Sequence, residues 1–242
     1  MQEVIIQPLD PFQYKRIVFF TGAGISAESG IPTYRGKGGI WRKYNWEEYA
    51  SQKAFNAHPE KVLKFHEKRR RKVRQCLPNR GHEVIAALQH QHPGVHVITQ
   101  NIDGLHQRAG SEKVIELHGN IWFLRCEREG ILYEDHGWRY KRRKCKCGAW
   151  LRPHLTWFGD YLDSAVTKAA EEVISQADLF VSVGTSGVVW PASMYPQIAQ
   201  AAQAYCVEIN PEPTTQSHLF NVCYRKPAGE ALPQLFPGII SS

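Results

Sequence analysis

Three short stretches of the chain carry residue types that could bind a nucleotide and transfer a proton. The first, Gly22-Ala-Gly24-Ile-Ser-Ala27, fits the glycine-rich pattern that holds phosphates between a strand and a helix N-terminus. The second holds Gln100, Asn101 and Asp103, and the third holds His118; each follows an apolar run. An imidazole has an ordinary pKa suited to proton transfer near neutral pH, so His118 is the candidate general base.

The placement of these stretches depends on the elements around them. Six short apolar runs, mostly rich in Val and Ile, are typical of parallel strands buried on both faces: Ile17–Phe20, Val95–Thr99, Val114–Leu117, Leu179–Gly184, Tyr205–Ile209 and Val222–Tyr224. Helical periodicity lies between several of them, at Gly81–Gln89, Asp163–Ala177 and Pro191–Ala202. This alternation predicts an α/β fold with a doubly wound parallel sheet of the Rossmann type, whose carboxyl edge would gather the three stretches. Alternatively, Asn101 and Asp103 cap the next helix, and a lone histidine is more often structural than catalytic.

Two segments interrupt the alternation and are predicted to form a second, smaller lobe. Residues 37–76 are helical and Trp-rich at their start, then basic, whereas residues 122–157 show no strand–helix unit and hold three cysteines. We therefore expect one domain with two lobes. The large lobe would comprise about residues 1–36, 77–121 and 158–242, and the small lobe about residues 37–76 and 122–157.

The glycine loop does not continue as it does in a dinucleotide-binding dehydrogenase. Gly30 and Pro32 should end its helix after about two turns. An acidic residue is expected about 20 residues further on, but Glu47-Glu48 lie there in a helical, Trp-flanked context. The sequence favours a cover that closes over a ligand, with Tyr34-Arg35 followed by the glycine pair Gly38-Gly39. An ordinary surface turn is the alternative.

Composition and charge narrow the classes of function. No window approaches about 18 uncharged apolar residues, and the N-terminus lacks the features of a signal peptide, so we expect a cytoplasmic protein without membrane contact. The net charge of +7 is concentrated in Lys61–Arg74 and Arg139–Lys146, where a solvated face is favoured over a nucleic-acid site. Cys206 and Cys223 lie in strand-like runs and are expected to be small core residues.

Together these motifs resemble those of the sirtuins, the NAD-dependent protein lysine deacylases. The matching stretches extend over essentially the whole chain: GAGISAESGIPTYRG, TQNIDGLHQRAG, ELHGN, RPHLTWFGD, VGTSGVVWP and VEINPEP. The short N-terminus and compact cysteine segment are most similar to those of bacterial CobB-type members. The resemblance implies that the Rossmann-type lobe binds NAD and that the substrates are acylated lysine side chains of proteins. We expect the enzyme to be a monomer.

The resemblance also implies a role for each matching residue, with His118 as the catalytic base. The implied cofactor-binding residues are Gly22, Ala23, Gly24, Ser26, Ala27, Pro32, Tyr34, Arg35, Trp41, Gln100, Asn101, Ile102, Asp103, Gly184, Thr185, Ser186, Asn210 and Ala228. Gly22–Gly24 would cradle the pyrophosphate, and Pro32–Arg35 would begin a loop over the nicotinamide ribose. Asp103 would hold the nicotinamide amide, and Asn210 would bind the adenosine ribose.

The implied reaction removes an acyl group from lysine. The acyl oxygen would attack C1′ of the ribose, nicotinamide would leave, and His118 would help to deprotonate a ribose hydroxyl, giving lysine, nicotinamide and 2′-O-acyl-ADP-ribose. A substrate peptide would add a strand between Trp157-Phe158-Gly159 and Gly187-Val188-Val189. Two alternatives stay open: a protein ADP-ribosyltransferase of the same fold, and a non-catalytic NAD- or ADP-ribose-binding protein that would not need His118.

Three cysteines suggest a structural zinc site that departs from the family pattern. Most sirtuins hold zinc with two close pairs of cysteines, whereas here Cys145 and Cys147 form one pair and Cys126 stands alone. Glu129, which takes the place of a second cysteine, His136 or water could supply the fourth ligand. The alternative is a metal-free ribbon held by the packing of three tryptophans: Trp122, Trp138 and Trp150.

The helix expected over Pro59–Cys76 bears on the choice of acyl group. Most of its basic residues should face solvent, but His66 and Arg69 fall on the face of the apolar residues. Desuccinylating sirtuins of the class III subgroup resemble this segment, with a Tyr and an Arg three residues apart that bind the acyl carboxylate and a small Ala upstream. The chain keeps Ala50 and Arg69 but has His66 in place of the Tyr. The resemblance therefore implies deacetylation together with desuccinylation or demalonylation, unless Arg69 simply reaches past the core to solvent.

Overall fold

Two sheets organise the protein. In the computed structural model, which describes residues 5–34 and 38–240, the described residues form nine strands: β1 (Ile17–Thr21), β2 (Val95–Thr99), β3 (Val114–Glu116), β4 (Gly119–Arg125), β5 (Leu132–Glu134), β6 (Arg152–Leu155), β7 (Leu179–Val183), β8 (Tyr205–Ile209) and β9 (Val222–Tyr224). Six of them pair in parallel in the order β3-β2-β1-β7-β8-β9, and the others form an antiparallel sheet in the order β5-β4-β6. The predicted α/β fold with a parallel Rossmann-type sheet is confirmed.

Helices surround both sheets. Those of the described residues are α1 (Ile40–Lys43), α2 (Trp46–Tyr49), α3 (Gln52–Ala57), α4 (Pro59–Gln75), α5 (Arg80–Gln91), α6 (Leu105–Arg108), α7 (Ser164–Ile174), α8 (Tyr195–Ala201) and α9 (Ala228–Leu235). Side-chain caps start two of the predicted helices: Asn79 accepts from backbone amides of α5, and Asp163 accepts from those of α7. Over the described ranges, no helix has both the length and the apolar composition of a membrane span.

The parallel sheet is buried because helices cover both of its faces. Alternate residues of β1 point to opposite sides, so Ile17 and Phe19 pack with α5 and α9, whereas Val18 and Phe20 pack with α7 and α8. All five residues of β1 and of β7 are buried. This two-sided burial is the reason that these strands are continuous apolar runs in the sequence.

The order of the strands reverses between β1 and β7, which opens a crevice at their carboxyl ends. Thr21, the last residue of β1, is in register with Thr99 of β2 and Val183 of β7. The three chain segments that follow these residues therefore emerge side by side. This is the position at which open α/β sheets bind ligands.

The segment after β1 is less helical than expected. Instead of a helix of about two turns, it forms a single 3-10 turn over Ala23–Ser26 and then turns to Gly30, whose φ is 85°. Asn79 compensates for the missing helix, because its side-chain amide donates to the carbonyl of Ile25 (2.7 Å) and to the hydroxyl of Ser29 (3.0 Å). Tertiary hydrogen bonds thus replace helical ones.

The antiparallel sheet was not expected from the sequence. Two of its strands, β5 and β6, have only three and four residues, and the charged residues Arg125 in β4 and Arg152 in β6 interrupt the apolar pattern. Long-range packing stabilises them instead, because Ile121 and Leu124 of β4 share an apolar core with Val62 and Leu63 of α4. The two segments assigned to the small lobe thus share one core, whereas the limits of the two lobes stay a prediction.

A buried arginine joins α4 to the antiparallel sheet. Arg70 is fully buried, and it donates to the carbonyl of Ile121 (2.9 Å), to the carbonyl of Gly137 and to the carboxylate of Asp135 (2.8 Å). Its guanidinium also lies 4.3 Å from the centroid of the Tyr140 ring. Every polar contact of this cation is thus made inside the protein. Nothing in the sequence distinguishes this buried arginine from the exposed basic residues around it.

We expect Arg70→Met to lower the free energy of unfolding by roughly 3–5 kcal/mol, because the buried carboxylate of Asp135 loses its counterion. The matched control is Arg74→Met on the same helix, where the arginine is exposed and the change should stay within about 0.5 kcal/mol. Urea unfolding followed by circular dichroism measures both values. Equal stabilities of the two variants would contradict the structural role of Arg70.

Candidate active site

A cavity of about 1000 Å³ opens at the carboxyl ends of β1, β2 and β7. It gathers most of the residues that the sequence analysis selected: Gly22, Ala23, Gly24, Tyr34, Trp41, Ala50, His66, Arg69, Gln100, Asn101, Ile102, His118, Trp157, Phe158, Gly159, Gly184, Thr185, Ser186 and Asn210. A smaller cavity of about 320 Å³ shares Gly24 and Gly184 with it and is also lined by Ala27 and Ala228. Residues from distant parts of the chain thus meet at one site.

Several selected residues do not line these cavities. Ser26 and Asp103 are buried behind the wall, and Pro32 is exposed beside Thr33, which does line the large cavity. Gly187 and Val188 also lie off the wall, although the adjacent Val189 is part of it. Arg35 lies outside the described residues.

Three glycines let the first turn pack against the end of β7. The amide of Gly22 donates to the carbonyl of Val183 (2.9 Å), and that of Gly24 to the carbonyl of Gly184 (2.8 Å). A Cβ on Gly24 would lie 2.5 Å from the Cα of Gly184, and Gly184 itself has a φ of 60°. A side chain at either position would separate the two segments. The glycines therefore build a cavity wall made mostly of backbone, which suits a phosphate group.

Ser26, Asn101 and Asp103 form a buried hydrogen-bonded network beneath this turn. The Ser26 hydroxyl donates to Asp103 Oδ2 (2.8 Å), while Asn101 Nδ2 donates to the carbonyl of Gly22 (3.0 Å) and to Ser26 Oγ (3.2 Å). Burial raises the pKa of Asp103, and hydrogen bonds from the Leu105 amide and Ser26 oppose the shift. The network links the segment after β2 to the glycine turn. The alternative of a helix cap also holds in part, because Asp103 accepts from the first amide of α6.

His118 lies between β3 and β4 on the cavity wall. Its Nδ1 is 2.9 Å from the carbonyl oxygen of Gln100, which can only accept, so Nδ1 carries the proton and Nε2 keeps a free lone pair. Burial lowers the pKa of His118 below its ordinary value, and the bond to Gln100 opposes this shift. The imidazole is therefore neutral at neutral pH, which is the form that a general base requires.

The far end of the cavity is organised around Thr185. Gln100 Nε2 donates to its hydroxyl (2.7 Å), and Asn210 Nδ2 donates to its carbonyl (2.9 Å). These two hydrogen bonds orient the amides, and among the described residues neither amide oxygen has a donor, so each can accept from a ligand hydroxyl. The ends of β2, β7 and β8 are thereby tied together.

Side chains of α4 and its neighbours also line the cavity. His66 is 1% exposed and stacks on Trp157, with 5.9 Å between ring centroids. Arg69 is half-buried, and its Nη2 donates to the hydroxyl of Tyr34 (2.8 Å). Ala50 is buried next to them, and its carbonyl accepts from the amide of Phe158 (3.1 Å).

The sequence analysis missed part of the cavity wall. Its outer rim is lined by Thr156, Tyr161, Leu162, Thr167, Lys168, Glu171, Trp190 and Glu212. Lys168 and Glu171 lie on α7 and follow helical spacing, so the sequence offers nothing that separates them from other exposed residues. Trp190 is 72% exposed. Its position next to the predicted peptide-binding segment could have identified it as part of the cavity wall.

Four side chains of the cysteine segment lie close enough to hold one metal ion. The Sγ atoms of Cys126, Cys145 and Cys147 and a carboxylate oxygen of Glu129 all lie within 4.8 Å of one another. Cys126 Sγ is 3.6 Å from Cys147 Sγ, and Cys145 Sγ is 3.5 Å from Glu129 Oε2. Tetrahedral zinc with Zn–S bonds of about 2.3 Å places its sulfurs about 3.8 Å apart, so this set fits zinc. His136 is not part of the set and instead bonds an exposed glutamate.

Known proteins show the same combination of sequence and fold. The Sir2 family model matches residues 22–191. The NAD-dependent protein deacylase of Aquifex aeolicus is 42% identical over 227 residues, which cover 91% of this chain and 93% of the relative. The NAD-dependent protein deacylase 2 of Pyrobaculum aerophilum is 46% identical over 223 residues, covering 91% and 90%. A crystal structure of a Sir2 homologue in complex with NAD has a TM-score of 0.87 and 40% identity, covering 94% of this chain and 90% of that one.

These similarities extend over most of the chain. The family match includes the glycine turn, His118 and the cysteine segment, and it covers well over half of the chain. The two relatives are similar over nearly the whole length, at identities that imply common descent. The chain belongs to the Sir2 family, the sirtuins.

Proposed function

We propose that the protein is a NAD-dependent protein lysine deacylase that releases nicotinamide and 2′-O-acyl-ADP-ribose. Relatives that are similar over nine-tenths of the chain carry the name NAD-dependent protein deacylase. The observation that carries the proposal is His118, a neutral imidazole on the cavity wall whose Nδ1–H is held by Gln100 and whose Nε2 is free. A monomeric state and a cytoplasmic location stay predictions from the sequence.

The cavity fits NAD in its size and in its donor groups. The glycine turn offers a backbone wall for the pyrophosphate, and the smaller cavity beyond Gly24 and Gly184 has room for the adenine end. When bound, NAD would supply the ribose C1′ whose bond to nicotinamide breaks. Asn101 and Ser26 would hold the turn and Asp103 in place, and His118 would accept a proton at Nε2.

The arrangement favours deacylation over the two alternatives. A non-catalytic NAD- or ADP-ribose-binding protein has no need of an imidazole whose tautomer is set by a backbone carbonyl. A protein ADP-ribosyltransferase would need no acyl pocket, yet three buried residues, Ala50, His66 and Trp157, line the cavity beside the cation Arg69.

His118→Ala should reduce kcat/KM for deacetylation by about 10²–10⁴-fold, because it removes the proton acceptor and little of the core. His90→Ala, which removes an exposed imidazole from α5, is the matched control. Nicotinamide release from an acetyl-lysine peptide measures the rates, and calorimetry measures NAD affinity, which should stay close to that of the unmodified protein. Near-normal turnover of His118→Ala would show that another group is the base.

We further propose that the enzyme removes acyl groups that end in a carboxylate, such as succinyl and malonyl, as well as acetyl groups. Arg69 supports this proposal, because it places a positive charge on the wall of the cavity that the small residue Ala50 also lines. Its half-buried position argues against the alternative that the side chain simply reaches solvent. His66 replaces the tyrosine of the desuccinylase pattern.

Arg69→Met should lower the ratio of kcat/KM for succinyl-lysine over acetyl-lysine peptide by roughly 10–150-fold, the value of a hydrogen bond to a charged partner. Lys68→Met, an exposed neighbour on the same helix, should leave the ratio unchanged. Nicotinamide release from matched peptides provides both numbers. A loss that is equal for the two peptides would mean that Arg69 is structural, and the succinyl and malonyl specificity would then be abandoned.

We also propose that zinc binds at Cys126, Cys145, Cys147 and Glu129 and stabilises the antiparallel sheet. The ligand atoms are close enough for one tetrahedral ion, and the set combines three thiolates with one carboxylate. In the absence of metal, the ribbon would depend on packing such as that of Trp122, which is buried. A structural ion of this kind couples folding to metal binding.

Metal analysis of the purified protein should find about one zinc per chain. Cys145→Ala should lose most of it and lower the melting temperature, because folding of the segment depends on the ion. Cys223→Ala, a half-buried cysteine of β9 outside the cluster, should keep the metal. Zinc that stays bound after all three cluster cysteines are replaced would refute this site.

A further inference from the structure

Arg69 is a half-buried cation on the cavity wall. Its Nη2 donates to the hydroxyl of Tyr34 (2.8 Å), and its guanidinium lies 5.0 Å from the centroid of that ring. Among the residues that the structure describes, Arg69 forms no ion pair with a carboxylate, whereas the adjacent Arg70 binds Asp135. A guanidinium that is partly desolvated without a counterion is a ready site for an anionic group of a ligand.

Tyr34 has a hydrogen-bond donor to spare at the same place. Its hydroxyl oxygen accepts from Arg69, and its own proton has no acceptor within residues 5–34 and 38–240. Ring contacts hold the phenol in position, because the centroid of the Trp41 ring lies 6.0 Å from that of Tyr34 and 6.3 Å from that of Phe65 on α4. The phenol proton and the remaining guanidinium N–H groups can bind the two oxygens of one carboxylate.

His66 cannot supply the second contact as an ion. Burial, and then the charge of Arg69, lower the pKa of His66 to about 3, so the imidazole is neutral at neutral pH. The side chain lines the same cavity, where the backbone of Tyr49 favours protonation of the imidazole less strongly than burial opposes it. An imidazole in this state can contact a polar acyl chain, but it adds no charge.

We infer that the Tyr34 hydroxyl and Arg69 together bind the terminal carboxylate of a dicarboxylic acyl group on lysine. In this chain, the phenol would come from the segment that follows the glycine turn and not from the α4 position that His66 occupies. The inference rests on the proposed deacylase function and names a specificity-determining residue for it. Recognition of the acyl chain would then involve the same segment that lies beside the cofactor cavity.

The test compares two acyl-lysine peptides of equal size, one succinylated and one carrying the neutral succinamoyl group, in which an amide replaces the carboxylate. Tyr34→Phe keeps the ring contacts and removes only the hydroxyl. It should lower the succinyl-over-succinamoyl ratio of kcat/KM by about 10-fold or more, since the lost hydrogen bond has a charged partner. The ratio cancels any loss that is common to both peptides. Tyr44→Phe, a second half-buried tyrosine near Phe65 that does not line the cavity, is the matched control and should leave the ratio unchanged.

A double-mutant cycle with Arg69→Met distinguishes a joint site from two separate effects. If both side chains bind one carboxylate, the double variant should lose much less than the product of the two single losses. Multiplicative losses, or a Tyr34→Phe ratio equal to that of the unmodified protein, would overturn the inference. If the unmodified protein cleaves acetyl-lysine but not succinyl-lysine peptide, the deacylase function stands and the inference is wrong. If no acylated peptide releases nicotinamide, the proposed function fails, and the inference fails with it.

Discussion

The close approach of two backbone segments, at the ends of β1 and β7, sets the geometry of the whole site. Gly24 and Gly184 lie so near each other that a Cβ on either would collide with the other segment. A hydrogen bond from the Gly24 amide to the Gly184 carbonyl stabilises this contact. Backbone hydrogen bonds hold this turn, and no long helix follows it. The chain can therefore change direction at Gly30, away from the parallel sheet. The side chains of α4 thus share one cavity with the strand ends.

The polar groups beneath the turn connect it to the segment that contacts His118. Asn101 bonds the carbonyl of Gly22 and the hydroxyl of Ser26, and Ser26 in turn bonds Asp103. Each of these three side chains is buried and satisfied, so a shift of one would leave a polar group unpaired at a cost of about 1–3 kcal/mol. The segment after β2 is therefore a rigid support, and the carbonyl of Gln100 within it sets the tautomer of His118.

Two neighbouring arginines of α4 illustrate how packing separates structural from functional charges. Arg70 donates to backbone carbonyls and to the carboxylate of Asp135, so its charge is paired inside the protein. Within the described residues, Arg69 donates to the phenol of Tyr34, forms no ion pair and lines the cavity. Because consecutive residues of a helix point in different directions, Arg70 enters the core beside the antiparallel sheet, whereas Arg69 reaches the cavity wall. Both are needed, because the first holds the helix that presents the second.

The sequence by itself determined the parallel sheet and the stretches at its carboxyl edge. Runs such as Ile17–Phe20 can bury all of their apolar side chains only when helices cover both faces of the sheet. In a parallel sheet, the carboxyl ends of the strands lie at the same edge. Tertiary structure alone decided the antiparallel sheet, the burial of Arg70 and the bond between Tyr34 and Arg69. Arg70 and Asp135 are 65 residues apart in the chain, and Tyr34 and Arg69 are 35 apart. No local periodicity encodes such pairs, because they depend on how two segments pack against one core.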